Sequence, residues 1–325
     1  MNNIYKMAHT NCIKKFEEND DYFYQKVLEG FGGETDDNNL VVKEYMEFLE
    51  RKTNNKKHTD LDKILKKLHN PKEIEKFIKK NEKILSDEDE AYLRAEELKS
   101  SKTTKEMHSK NGKYSSARRT VHNMIIKRLL NKGAKEKEPV VIFMAGLGGS
   151  GKGSIKGPIL KGMGLSNKII NVDPDEIKYM LPDYKKIKGV LRAAKTHEES
   201  SDIAKKVVTM AVNQKYNLII DGTMKNMSRT KKILMEAKKK GYRTIMRATQ
   251  LPTHKAMERN VARYKGAKNK DDARLVPLEI IEKMGKDVNK SIHALKHTFD
   301  DYRVYDTDVP MGDKPILIEK GKKAN

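Results

Sequence analysis

Apolar and polar positions follow two periods along the second half of the chain, and the switches between them mark its elements. Val140–Met144 is a continuous apolar run, as in a strand covered on both faces of a sheet. Runs over 168–172, 217–221, 243–249 and 303–306 predict further strands. Between them apolar residues recur at helical spacing, as Ile203, Val207, Met210 and Ala211 do. This spacing predicts helices over 116–131, 151–162, 198–213, 228–239, 253–265 and 277–298. Regular alternation of this type implies an α/β fold, a parallel sheet with helices on both faces. Ligands in such folds bind outside the carboxyl ends of the strands, so the residues that end each strand carry the functional reading.

The first hundred residues read differently. Leu61, Ile64, Leu65 and Leu68 fall on one helical face. Ile74, Phe77 and Ile78 continue in a second helix after Pro71, and Tyr92, Leu93 and Leu98 suggest a third. Residues 30–39 have the composition of a loop. The expected organisation is a small all-helical N-terminal domain over 1–100, a linker over 101–115 and the α/β domain over 116–325. The helical domain holds no catalytic constellation, so docking to a protein partner is the role weighed for it against that of a structural appendage.

Charge sharpens this division. Residues 1–110 hold 22 Lys+Arg against 23 Asp+Glu, and the remainder holds 46 against 23. The entire excess, +22 over the chain, therefore lies in the α/β half. Such a field favours nucleotides and gives weak non-specific attraction to nucleic acid. Lysine outnumbers arginine, which argues against base-specific readout. Cys12 is the only cysteine, so no internal disulfide can form, in keeping with a reducing cytoplasm. The N-terminus lacks the order of a signal peptide and no apolar run is long enough to span a membrane. A cytoplasmic protein is expected.

The strand ends hold the chemistry. The run at 140–144 passes into Gly146, Gly148, Gly149, Ser150, Gly151, Lys152, Gly153 and Ser154. Glycines there let the backbone turn tightly and bring its N–H groups against an anion, and a helix opening at Lys152 adds positive potential. Together they form a phosphate cradle of the P-loop kind. Gly153 stands where the Walker pattern has Ser or Thr, which leaves Ser154 as the nearby hydroxyl for a Mg²⁺ ion. The strand at 168–172 ends in Asp173-Pro174-Asp175-Glu176. Asp175 is the candidate base for an accepting hydroxyl and Asp173 a metal-site acid, while either could simply cap a helix. Asp221, before Gly222-Thr223, ends the third strand and is a second metal-site acid. His197, Glu199 and Asp202, at a helix start, and Thr223 are candidate substrate contacts; acids there also suit the helix dipole. Arg263 and Arg274 flank a polar, basic segment that resembles a lid, where arginines can meet a transferring phosphoryl group.

The stretch 139–306 resembles the zeta toxin family, including zeta-like domains of bacteriophages. The motifs are GLGGSGKGS, NVDPDEIKYMLPDY, YNLIIDGT, the GYRT strand entry and the arginines around RYKGAKNKDDAR. The GKG-Ser loop is also similar to that of adenylate-type kinases. The resemblance implies a P-loop kinase fold that uses ATP or GTP with Mg²⁺ to phosphorylate the sugar of UDP-N-acetylglucosamine, and an antitoxin context. It makes Lys152 the phosphate lysine, Asp175 the catalytic aspartate, and Arg263 and Arg274 the γ-phosphate arginines. The family's sugar-contacting glutamate falls at Lys205, so the acceptor is the part of the implied chemistry this sequence matches least. A polynucleotide 5′-hydroxyl kinase shares the loop, the aspartate and the arginines. A non-catalytic virion or DNA-associated protein would keep the fold for binding alone.

Overall fold

The computed structural model describes residues 61–68, 70–81, 90, 92–94, 96–97, 101–187, 191–267, 276, 278–310 and 312–322. The chain divides into two compact units, 1–69 and 70–325. Of the first, residues 61–65 are helical. The expected loop at 30–39, Leu98 and Arg274 lie outside the described residues.

The second unit opens with helix α1, Pro71–Asn81, whose Ile74 and Ile78 are buried. A six-stranded sheet forms its centre: β1 Val140–Ala145, β2 Ile170–Val172, β3 Leu218–Asp221, β4 Arg243–Gln250, β5 Asp301–Asp306 and β6 Ile316–Lys322. The order is β2-β3-β1-β4-β5-β6; the first five strands are parallel, and β6 returns antiparallel along β5. The helices are α2 Thr104–His108, α3 Ser116–Leu130, α4 Lys152–Gly162, α5 Pro174–Lys178, α6 Pro182–Lys186, α7 Arg192–Lys195, α8 His197–Asn213, α9 Met227–Lys239, α10 Thr253–Lys265 and α11 Leu278–Leu295.

Strand β1 is central because every second side chain finds a different apolar layer. Val141, Phe143 and Ala145 join a core with Ile125, Leu129, Ile203, Val207 and Ile292. Ile142 and Met144 join Ile155, Ile169, Ile219 and Ile245 on the opposite face. Phe143 meets Phe299 edge to face, ring centroids 5.3 Å apart. From β1 the chain crosses to β2 on one side and, after β3, to β4 on the other. The carboxyl ends of β1 and β4 thus flank a topological switch point, where this architecture opens a crevice.

Two expectations change. Residues 101–115 are folded rather than a linker. Thr103 caps α2 in a reciprocal capping box with Glu106. A two-residue hairpin then pairs Ser109 with Tyr114 and Lys110 with Lys113, turning through Asn111 and Gly112 at φ 51° and 73°. The second change is β6, which the sequence pattern did not mark. Its Ile316, Leu317 and Ile318 are exposed, so no burial periodicity betrayed the strand.

Candidate active site

The loop 146–151 folds as its glycines require. Gly146, Gly149 and Gly151 have φ of 134°, 86° and 76°, values that side chains resist. A Cβ on Gly146 would overlap Thr249 at the end of β4, and one on Gly149 would lie 2.8 Å from the Ala256 carbonyl of α10. Beside Gly148 and Gly153 the space is open. Ser150 is buried; its hydroxyl donates to the Leu147 carbonyl and meets Thr249 Oγ1, both at 2.7 Å. Thr307, just after β5, donates to the Ser150 carbonyl at 2.9 Å. Arg259 braces this junction by donating to the carbonyls of Thr307 and Val309. The loop is therefore held from β4, β5 and α10 at once. Gly151 caps α4 without a side chain and its carbonyl takes the Ser154 N–H, so an anion here would meet the Lys152 and Gly153 N–H groups.

Lys152 turns back over this loop. Its Nζ donates to the carbonyls of Gly146 and Leu147, each at 2.8 Å. Burial pushes the Lys152 pKa down, Asp221, Asp173 and Asp175 push it up, and Arg263 pushes it down. These groups come from α4, the β2–α5 corner, β3 and α10, and their charges converge on one amine.

Register explains the convergence. Val172 pairs with Ile220 across β2 and β3, so Asp173 and Asp221 follow side by side at the carboxyl edge. Asp221 in turn pairs with Met144, two residues before Gly146. Asp173 caps α5, accepting from the Asp175 N–H at 2.8 Å. Burial, and then the Asp221 charge, push the Asp173 pKa up to about 6. Asp175 is not a cap. Its carboxylate meets Lys178 Nζ at 2.7 Å, and that lysine is nearly buried. Asp221 meets Lys156 Nζ at 2.8 Å.

The residue pair Asp173–Asp221 suits a hydrated divalent cation: two like charges crowd one another and raise a pKa that such a cation would relieve. Among the described residues no group of three or more His, Cys, Asp or Glu side chains could hold a metal. A cation here would take its remaining ligands from phosphate and water, as Mg²⁺ does. The Ser154 hydroxyl donates to the Gly151 carbonyl at 2.7 Å, which leaves its oxygen lone pairs for a cation.

The other expected contacts divide: Thr223, His197 and Arg263 stay with the loop and its acids, and Asp202 and Glu199 are engaged elsewhere. Thr223 borders the loop: its carbonyl accepts the Gly146 N–H, and its hydroxyl accepts the Lys225 N–H. His197 opens α8, where desolvation and Lys178 lower its pKa against the pull of Asp175. Arg263 is exposed on α10 and donates to Asn260 Oδ1 at 2.9 Å. Asp202 is taken up by Tyr114, Lys105 and Lys205. Glu199 is not an open substrate contact. It is fully buried and accepts from Arg118 at 2.5 and 2.7 Å, with His122 at 2.6 Å. Arg118 also reaches Asp183, which pairs with His108. Burial would raise the Glu199 pKa, but the bonds from Arg118 and His122 hold it at about 2.

The sequence profile described as zeta toxin matches residues 126–313, more than half of the chain. The chain belongs to the zeta toxin family. Within the family it is 29% identical over 119 residues to toxin PezT of Streptococcus pneumoniae serotype 4 (strain ATCC BAA-334 / TIGR4), which covers 35% of this chain and 46% of PezT. The chain thus matches about half the length of that curated relative. The fold is similar to a structure of the PezAT chromosomal toxin–antitoxin system of S. pneumoniae. There the TM-score is 0.51 at 19% identity, over 64% of this chain and 83% of that one. It is also similar to AvrRxo1-ORF1:AvrRxo1-ORF2 with sulphate ions, with a TM-score of 0.53 at 15% identity over 68% and 77%. At these identities the likeness is one of fold alone. Among the described residues no helix is long and apolar enough to cross a membrane.

Proposed function

We propose that this zeta toxin family chain is a kinase that moves the γ-phosphate of ATP or GTP to a hydroxyl group. The observation that carries the reading is the glycine loop closed by Lys152, with Asp173 and Asp221 side by side at the adjoining strand ends. The Lys152 side chain and the amides of Lys152 and Gly153 bind the terminal phosphates. Asp175, steadied by Lys178, takes the proton of the accepting hydroxyl. The new oxygen–phosphorus bond forms as the bond to the β-phosphate breaks, leaving the nucleoside diphosphate. Arg263, together with Arg274, meets the charge on the transferring group. Asp173 and Asp221 would hold Mg²⁺, which supplies charge neutralisation of the phosphates.

The acceptor we favour is a nucleotide-sugar of the UDP-N-acetylglucosamine type, supported by family membership. The basic half of the chain favours, as the second reading, the 5′-hydroxyl of a polynucleotide. A protein partner for the N-terminal helices is in keeping with the likeness to PezAT.

The test is incubation with Mg·ATP and a panel of nucleotide-sugars and 5′-hydroxyl oligonucleotides, read by mass. A gain of one phosphate on a nucleotide-sugar, lost in Lys152→Ala and Asp175→Asn, is expected. A gain on oligonucleotides alone selects the second reading. No gain on any acceptor refutes the kinase.

A further inference from the structure

Three lysines surround the acidic corner, and each has a different station. Lys152 is held by the loop carbonyls. Lys178 is held by Asp175. Lys156 lies four residues after Lys152 on α4, on the same helical face. Its Nζ meets Asp221 Oδ2 at 2.8 Å, with both side chains mostly covered, 22% and 14% exposed. Asp173 and Glu176 also act on the Lys156 ammonium, and Glu176 is itself engaged by Asn171. Of the three lysines, Lys156 is the one whose ammonium is in direct contact with the Asp173–Asp221 pair.

We propose that Lys156 is a resident counter-cation, whose ammonium holds the place at Asp221 that a divalent ion takes when nucleotide is bound. The inference rests on the kinase reading of this crevice and concerns how its metal enters. A lysine suits the role: a compact charge on a flexible stem can leave one carboxylate for a phosphate oxygen without moving the helix. Incoming phosphates give Lys156 a new partner one turn from Lys152, and its departure opens Asp221 to the ion that the nucleotide brings. Without nucleotide the ion would have to displace a bound ammonium, and binding is weak. The metal is thus coupled to the nucleotide by a side chain that neither the loop motif nor the strand-end acids disclose.

The test uses the nucleotide-free full chain titrated with Mn²⁺, reading the free ion by its paramagnetic resonance signal. Lys156→Met is expected to bind Mn²⁺ roughly tenfold more tightly than the wild type, because a like charge a few ångströms away is removed. Asp173→Asn in the Lys156→Met background is expected to abolish that gain. Equal or weaker binding by Lys156→Met overturns the proposal, and so does a gain that survives Asp173→Asn. Where a melting curve shows Lys156→Met unfolded, Lys156→Gln, which keeps a polar tip, is read in the same way. Phosphoryl transfer does not enter this readout, so its failure and the failure of the mass-gain assay are separate results.

Discussion

Glu199 offers the clearest test of how the site is held in place. The substitution is Glu199→Gln, which keeps shape and removes charge. In the native protein the carboxylate is fully buried and takes two bonds from Arg118 and one from His122. Removing one member of a buried pair leaves the other uncompensated, at a cost of about 3–5 kcal/mol. Arg118 keeps Asp183, so the lower end of that range applies. A second route gives a similar figure. The Glu199 pKa falls from 4.5 to about 2, which corresponds to about 3 kcal/mol of folding stability. A depressed carboxyl contributes above its unfolded pKa and loses the contribution as pH falls through the folded one. The stabilisation should therefore be complete at pH 7 and decline between about pH 5 and pH 2. Urea unfolding of wild type and Glu199→Gln at pH 7 and near pH 3 measures both claims. The gap should be near 3 kcal/mol at pH 7 and should narrow toward pH 3. A difference below about 1 kcal/mol at pH 7, or one unchanged with pH, would refute the reasoning.

Asp173→Asn should stabilise the protein by about 1–3 kcal/mol at pH 8, because its raised pKa marks a charge the fold resists and Asn still caps α5. The gain should shrink as pH falls from about 6 toward 3.8, and a destabilised variant at pH 8 would count against the like-charge account. Gly146→Ala should lose nucleotide binding at least tenfold, since the new methyl meets Thr249 at a positive φ; unchanged binding of a fluorescent ATP analogue would contradict the cradle. Phe143→Ala should lower stability by about 3–5 kcal/mol in urea melts, and a loss under 1 kcal/mol would show that the face shared with Phe299 is not tightly packed. Expression in bacteria should slow growth, and Lys152→Ala or Asp175→Ala should restore it; identical growth curves for all three would separate any toxicity from the proposed chemistry.

Much of the architecture could be read from the chain because its signals are local. The apolar run of β1, the glycines after it and the acids ending β2 and β3 are contiguous in sequence. Parallel register then places Asp173 and Asp221 together, as strand-end reasoning expects. What escaped reading depends on partners far away in the chain. Ser150 meets Thr249 across 99 residues and Thr307 across 157, and Arg118 meets Glu199 across 81. The acids at the start of α8 suited a helix dipole or a substrate contact equally well, and only the fold shows Glu199 closed off by Arg118. Two signals were present and went unused. Thr103-x-x-Glu106 is a capping-box pattern, and Asn111-Gly112 between two lysines is a hairpin turn. Polar composition disguised both as linker.

The hold of Lys152 on the Gly146 and Leu147 carbonyls sets a condition on what can enter this seat. A visitor has to offer the ammonium something better than two neutral oxygens, and only an anion does so. Adenosine or guanosine alone would gain nothing from the exchange and should compete poorly. Affinity should climb steeply from mono- to di- to triphosphate, which makes the lysine a gatekeeper for phosphate chain length rather than for the base.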